Sequence, residues 1–164
     1  MAKPPFIYAL HIKTTPKKLW QALIDNRFIP KYFFGYKIRS EWKKGAKVEF
    51  IWPDGTSSDW GHVTRFQPNK VLAYTFGWPK DKTKRKRPTE VKFEILPMLG
   101  GVKLLVTHDH LMPADTDDNP MTLKGINNGW PACLSGLKSL LETGKGCLDF
   151  SLMDSYGKLK AKKG

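Results

Sequence analysis

Cysteine is scarce in this sequence, which contains only Cys133 and Cys147. Two cysteines do not make the disulfide framework that stabilises many small secreted domains. Cys133 falls among apolar positions, where a free thiol behaves as a small hydrophobic group. We therefore expect a reducing, cytoplasmic environment and an inert Cys133 rather than a catalytic nucleophile.

Long hydrophobic runs are also missing. The sequence has no run of about 18 apolar residues, which is the length that a membrane-spanning helix requires. The N-terminal stretch MAKPPFIYALHIK alternates between apolar and polar residues and lacks the apolar centre of a secretion signal. We therefore expect neither a membrane span nor a signal peptide.

Acidic residues are few, and their shortage gives a net charge of +13. The segment KDKTKRKR (80–87) and the end of the chain (158–164) together supply +9 of it, so the charge is local. A nucleic-acid-binding domain usually carries a basic face or stripe instead. The basic segment would suit phosphates, but it contains no aromatic residue for base stacking. We interpret it as a solvent-exposed turn and do not expect nucleic-acid binding.

The residues that are present indicate one domain over residues 1–146, followed by a polar, basic tail over 147–164. Alternation of apolar and polar residues predicts seven strands separated by short turns, which is typical of an antiparallel meander. The predicted strands are 6–13, 35–42, 46–52, 59–66, 71–78, 89–96 and 102–111.

The sequence also predicts two helices, one between the first two strands and one after the last strand. Thr15 is suited to cap the first helix, with Pro16 at its first position. The long C-terminal helix should begin near Asn119, with Pro120 at the first position, and end at Gly144 or Gly146. The class is therefore α+β, with one curved antiparallel sheet around a long helix.

A single helix cannot fill the concave face of such a sheet, so we predict an apolar ligand cavity between the two. Inward strand positions and the apolar face of the helix supply its candidate lining. The candidate ligand-binding residues are Trp20, Phe50, Trp52, Tyr74, Phe76, Trp78, Phe93, Val106, His108, Trp130, Leu134 and Leu137.

Several segments resemble a known family. The stretches FIYALHIKTTPKKLWQALID, KYFFG, PNKVLAYTFGW, TEVKFEI, VKLLVTHDHL and GWPACLSGLKSLLETG follow one another between Phe6 and Gly144. They resemble the activator-of-heat-shock-protein-90-ATPase-homologue-like group of the START-like (SRPBCC) superfamily. The resemblance implies a helix-grip fold, with two short helices between the first two strands and an apolar cavity. It assigns no single activity, because START-like domains include lipid carriers, polyketide binders, cyclases and co-chaperone modules.

His108 and His110 are the most conspicuous polar residues among the inward positions. Two histidines at this spacing on one strand suit a metal site or acid–base catalysis. No cysteine or carboxylate motif accompanies them, so we expect no metal, no cofactor and no catalytic residue. We expect His108 to be a polar group of the cavity wall that orients the ligand.

We therefore expect this chain to bind a small hydrophobic ligand of lipid, polyketide or aromatic type. The alternative is a protein-interaction module like the co-chaperone relatives, with a filled cavity and a protein partner. An enzyme would require His108 or Tyr74 to act on a bound substrate, and we do not favour that interpretation.

Overall fold

The computed structural model describes residues 2–77 and 81–153. Within them, one curled seven-stranded antiparallel sheet packs against a long C-terminal helix, as the sequence predicts. Two short helices separate the first two strands. The elements are β1 (Phe6–Ile12), α1 (Pro16–Ile24), α2 (Ile29–Tyr32), β2 (Lys37–Arg39), β3 (Lys47–Ile51), β4 (Ser57–Gln67), β5 (Val71–Phe76), β6 (Thr89–Met98), β7 (Gly101–Asp109) and α3 (Ile126–Thr143).

The start of α1 is the one that its sequence predicts. Pro16 opens the helix, and the Thr15 side chain accepts a hydrogen bond from the Lys18 backbone N–H at 3.2 Å. This bond satisfies one of the backbone donors that a helix start leaves free. The helix buries Leu19 and Trp20 against the rest of the core.

The sheet is a meander from β2 to β7, and β1 completes it at the far side of β7. Strand alternation places Phe93 on β6 directly opposite Val106 on β7, with both side chains buried. The sequence pattern predicted this inward set, including His108. His110 lies beyond the end of β7, where its φ of 62° breaks the extended backbone. The two histidines therefore do not share a strand face.

The predicted start of α3 near Asn119 and Pro120 is wrong, because α3 begins at Ile126 after Gly125. Residues 116–125, which we call the strap, instead form an ordered loop. Asn127 accepts a bond from the Asp117 N–H at 3.0 Å and donates one to the Asp117 carbonyl at 2.8 Å. Such side-chain bonds satisfy the backbone without a helix.

The C-terminal end of α3 agrees with the prediction, since Gly144 caps it in the left-handed conformation with a φ of 81°. Beyond the expected domain boundary, Phe150 packs edge-on against Phe34, with ring centroids 5.0 Å apart. The remainder of the predicted tail, from residue 154 on, lies outside the described residues. No helix in 2–77 or 81–153 is long and apolar enough to cross a membrane.

Candidate functional site

A partly open cavity of about 210 Å³ lies between the sheet and the N-terminal half of α3. Four parts of the chain form its wall: the segment after α2, strands β4 and β5 with Trp52 directly after β3, the strap, and α3. Aromatic side chains dominate this wall. The lining residues are Phe33, Phe34, Tyr36, Trp52, Trp60, Phe76, Leu123, Gly125, Ile126, Gly129, Trp130 and Cys133.

The aromatic rings of the wall hold one another in edge-on contact. Tyr36 and Trp52 meet with centroids 4.8 Å apart at 71°, and Trp60 and Phe76 meet at 5.2 Å and 83°. Phe50 lies buried against both Trp60 and Phe76, at 4.6 and 5.3 Å. Edge-to-face packing is the favoured geometry for such pairs. The wall is therefore shaped before any ligand arrives.

A buried hydrogen-bond chain runs directly behind the wall. The Trp130 indole Nε1–H donates to His108 Nδ1 at 2.9 Å. His108 Nε2 lies 2.9 Å from the Thr89 hydroxyl, which in turn donates to the Phe76 carbonyl. Because Nδ1 accepts, the neutral ring carries its proton on Nε2 and donates it to Thr89. The chain thereby ties two wall residues, Phe76 and Trp130, to one fixed histidine.

The surroundings of His108 keep its ring uncharged. Burial lowers its pKa from 6.5 to about 3, while the nearby charge of Asp115 acts in the opposite direction and raises it. A neutral ring whose two nitrogens are both engaged has no free atom for a substrate. The position of His108 therefore suits support of Trp130 rather than acid–base chemistry near neutral pH.

The remaining polar side chains of the wall are also neutral. Burial raises the pKa of the Tyr36 hydroxyl to about 12, with the nearby Cys133 as a second cause. Burial likewise raises the pKa of the Cys133 thiol well above its usual value. Cys133 is therefore the buried, protonated thiol that the sequence predicts, and a thiol is a poor nucleophile.

The predicted ligand-binding residues fall into three groups. Trp52, Phe76 and Trp130 line the cavity. Residue Trp78 lies outside the described residues. The others are buried without being among the lining residues of this cavity: Trp20, Phe50, Tyr74, Phe93, Val106, His108, Leu134 and Leu137.

The sequence prediction missed part of the wall that comes from loops. Phe33, Phe34 and Tyr36 follow α2, and Leu123 and Gly125 belong to the strap. Strand periodicity cannot indicate such residues, because they lie outside the strands. One signal was available in the sequence. The short segment KYFFGY (31–36) is rich in aromatic residues, whereas connecting segments lie at the surface and are usually polar.

The basic segment is only partly the solvent-exposed turn that the sequence predicts. Arg85 is 12% exposed and donates two hydrogen bonds to the buried Asp115 carboxylate, at 2.7 and 3.2 Å. It also pairs with Asp81. Its basic neighbours Lys84 and Lys86 are exposed. One arginine therefore anchors the segment to the loop that leads into the strap.

The described residues contain no group of three or more histidine, cysteine or acidic side chains that could hold a metal ion.

One family model matches most of the chain. The sequence profile described as Activator of Hsp90 ATPase homolog 1-like protein matches residues 13–142. A comparison with curated proteins finds no match.

Similar solved structures show the same fold. One is the solution structure of the Aha1 dimer from Colwellia psychrerythraea, 24% identical, with 88% of this chain and 100% of that chain covered and a TM-score of 0.69. A crystal structure from Mesorhizobium loti is 22% identical, covers 84% and 96%, and has a TM-score of 0.68. A solution structure from Cytophaga hutchinsonii is 22% identical, covers 86% and 95%, and has a TM-score of 0.66.

Proposed function

We propose that this chain, which belongs to the Activator of Hsp90 ATPase homolog 1-like family, binds a small, mainly apolar molecule in its aromatic cavity. The observation that carries the proposal is the partly open cavity of about 210 Å³ with aromatic walls. Burial of apolar surface there would drive binding, at about 25 cal/mol per Å² before the costs of association.

The volume of the cavity favours a compact ligand. Ligand pockets usually measure roughly 300–1,000 Å³, whereas an apolar cavity of about 150 Å³ accepts benzene. The cavity of about 210 Å³ is closer to the second case. A molecule with one or two rings fits it better than a whole lipid or a long polyketide.

The wall residues that we propose as ligand contacts are preorganised. Trp130 is held by His108, and Phe76 is held through its carbonyl by Thr89. A wall that is already ordered loses little conformational entropy when the ligand binds. In this proposal His108 acts through Trp130 and does not touch the ligand, and no catalytic step is assigned to it.

A protein-interaction module is the second candidate, and one surface favours it. The turn between β6 and β7 exposes Leu99 fully, together with much of Leu96 and Met98. The Colwellia relative is described as a dimer. Exposed apolar clusters often mark protein contacts. The protein-interaction candidate would be favoured if no ligand binds in the cavity.

The cytoplasmic location is part of the proposal. Cys133 and Cys147 are both free thiols, which fits a reducing compartment.

The proposal is tested by native mass spectrometry of the purified protein, followed by titration with naphthalene and toluene under tryptophan fluorescence. We expect saturable binding, because Trp52, Trp60 and Trp130 line the cavity. A Trp52→Ala variant should bind about tenfold more weakly, since an aromatic contact of about 1.4 kcal/mol is lost.

Trp42→Ala is the matched control. Trp42 is also partly buried but is not one of the lining residues of this cavity. It should leave the affinity of both compounds unchanged. Absence of any copurified mass and of any saturable binding would reject the ligand-binding proposal and leave the protein-interaction candidate.

A further inference from the structure

The polar atoms of the cavity wall carry information about the ligand. Trp130 already donates its indole N–H to His108. Tyr36 Oη and Trp52 Nε1 have no hydrogen-bond partner among the described residues, although both residues line the cavity. An indole N–H can only donate, and a neutral phenol donates readily. Tyr36 and Trp52 can therefore act mainly as hydrogen-bond donors to a ligand.

The side chains of the wall offer few hydrogen-bond acceptors. None of the lining side chains carries a carboxylate or an amide oxygen. The whole chain has a net charge of +13, which repels cations over long distances. An aromatic cage for an ammonium ligand usually relies on the attraction of ring faces and favourable surroundings. Here the surroundings oppose a cation.

Tyr36 and Trp52 are also adjacent. Their rings meet edge-on at a centroid distance of 4.8 Å, so one polar group of a ligand would have both side chains in its vicinity. The rest of the wall around them is apolar and aromatic. The cavity therefore has two neighbouring lining residues that each carry a hydrogen-bond donor, within an otherwise mainly apolar wall.

From this arrangement we infer that the ligand is a neutral or anionic aromatic compound whose ring bears a hydrogen-bond acceptor, such as a carbonyl or carboxylate, placed against Tyr36 and Trp52. This inference rests on the proposed function, because it requires a ligand in the same cavity. A buried donor left without a partner is costly, so a ligand that lacks an acceptor is penalised.

Three compounds of similar size test the inference by fluorescence titration: acetophenone, α-methylstyrene and phenyltrimethylammonium. Acetophenone and α-methylstyrene differ by a carbonyl oxygen in place of a methylene group. We expect acetophenone to bind about two- to tenfold more tightly than α-methylstyrene, although it is the less hydrophobic of the two. Phenyltrimethylammonium should bind most weakly.

The Tyr36→Phe variant keeps the ring and removes the hydroxyl. It should reduce the preference for acetophenone over α-methylstyrene in two ways. Acetophenone loses a hydrogen-bond donor and binds more weakly, and α-methylstyrene binds slightly more tightly because it no longer leaves the hydroxyl without a partner. Tyr8→Phe is the matched control, because Tyr8 on β1 is not among the lining residues, and it should change neither value.

The outcomes separate this inference from the proposed function. If α-methylstyrene binds as tightly as acetophenone and Tyr36→Phe has no effect, the acceptor requirement is wrong while ligand binding stands. If phenyltrimethylammonium binds most tightly, the cavity is a cation cage and the inference is overturned. If none of the three binds while toluene does, the inference alone fails. If toluene does not bind either, the proposed function and the inference fail together.

Discussion

His108 shows at the scale of one residue how a polar group can shape an apolar site. Its two ring nitrogens are occupied by Trp130 and Thr89, both in the buried interior. The residue therefore fixes the orientation of an indole that faces the cavity. Its importance lies in the geometry that it imposes on a neighbour.

Replacement of His108 should separate this supporting role from mere filling of space. In His108→Leu the Trp130 N–H loses its acceptor inside the core, which should cost about 1–3 kcal/mol of unfolding free energy. In His108→Gln the side-chain amide can accept from Trp130 and donate to Thr89, so a smaller loss is expected. Urea denaturation measures both losses.

The Trp130 indole N–H resonance in a ¹⁵N-labelled sample gives a second observable. It should shift strongly in His108→Leu and move back towards its original position in His108→Gln. Equal stabilities for the two variants, with the resonance unmoved in both, would show that the hydrogen bond does not position Trp130.

The inward orientation of His108 could be predicted from strand alternation, but its partners could not. Thr89 begins a different strand, and Trp130 lies on α3, 22 residues further along the chain. A hydrogen bond between distant residues depends on how elements pack, and periodicity within one strand contains no information about that.

At the scale of elements, the strap and α3 together supply half of the residues that line the cavity. The side chain of Asn128 donates to the Lys124 carbonyl at 3.0 Å and to the Asn119 carbonyl at 2.9 Å. Gly125 links the two elements with a φ of 79°, and a Cβ there would lie 2.5 Å from the Asp117 nitrogen. The turn between strap and helix therefore requires glycine.

Gly129 on α3 offers a way to narrow the cavity without breaking the fold. A Cβ at this position would lie 3.7 Å from the Leu123 carbonyl oxygen and 3.8 Å from the Phe34 ring, which are ordinary contacts. Gly129→Ala should raise the unfolding free energy by up to about 1 kcal/mol, because alanine favours a helix. It should also weaken the binding of toluene, since the methyl group occupies cavity space.

Gly136→Ala is the control for Gly129→Ala. Gly136 lies on the same helix but packs against Tyr32, where a Cβ would meet the Tyr32 Cβ at 3.4 Å. Toluene affinity measured by titration should stay unchanged in this variant. A Gly129→Ala protein that binds toluene as well as the unmodified chain would place the ligand elsewhere.

The start of α3 illustrates why element boundaries are harder to predict than the elements. Asn119 followed by Pro120 is a good start signal, and the helix face further along the chain is correctly predicted. The signal failed because the side chains of Asn127 and Asn128 bond to the backbone of Asp117, and the Asp117 side chain accepts from the Asn119 N–H. Two of these side chains, Asn127 and Asn128, lie in the first turn of α3. Their bonds to the strap therefore form only when the strap packs against the helix, and a local start signal does not indicate that packing.

At the scale of the whole molecule, the unfolding free energy should depend on pH in a direction that His108 sets. Its folded pKa of about 3 lies below the unfolded value of 6.5. Between these values the unfolded chain binds a proton that the folded chain excludes, so stability falls as pH falls. The contribution is complete above pH 6.5 and decreases by about 1.4 kcal/mol per pH unit below it.

Urea denaturation at pH 7 and pH 5 measures this effect, which should amount to about 2 kcal/mol. The same pair of measurements on His108→Gln should show a correspondingly smaller difference, since glutamine does not titrate. An unchanged difference in the variant would assign the acid sensitivity to other groups.

The architecture as a whole was the most predictable level. Alternating strands, short turns and one long amphipathic helix leave few arrangements in which every apolar face is covered. The shape of the cavity was much less predictable, because the loop residues Phe34, Tyr36 and Leu123 form a large part of it. Their positions follow from packing between segments that are far apart in the chain.

The position of β1 at the edge of the sheet has a consequence for how the protein is made. Its neighbour in the sheet is β7, with Phe6 opposite His108. During synthesis, the first strand of the sheet therefore cannot pair until the last strand has been made. The aromatic face that α3 covers stays open for longer still, because α3 follows β7 in the chain. Such long-range pairing slows folding relative to folds that are dominated by local contacts. The nascent chain therefore exposes apolar surface that can aggregate. We expect its dependence on chaperones to be greatest before α3 has been synthesised.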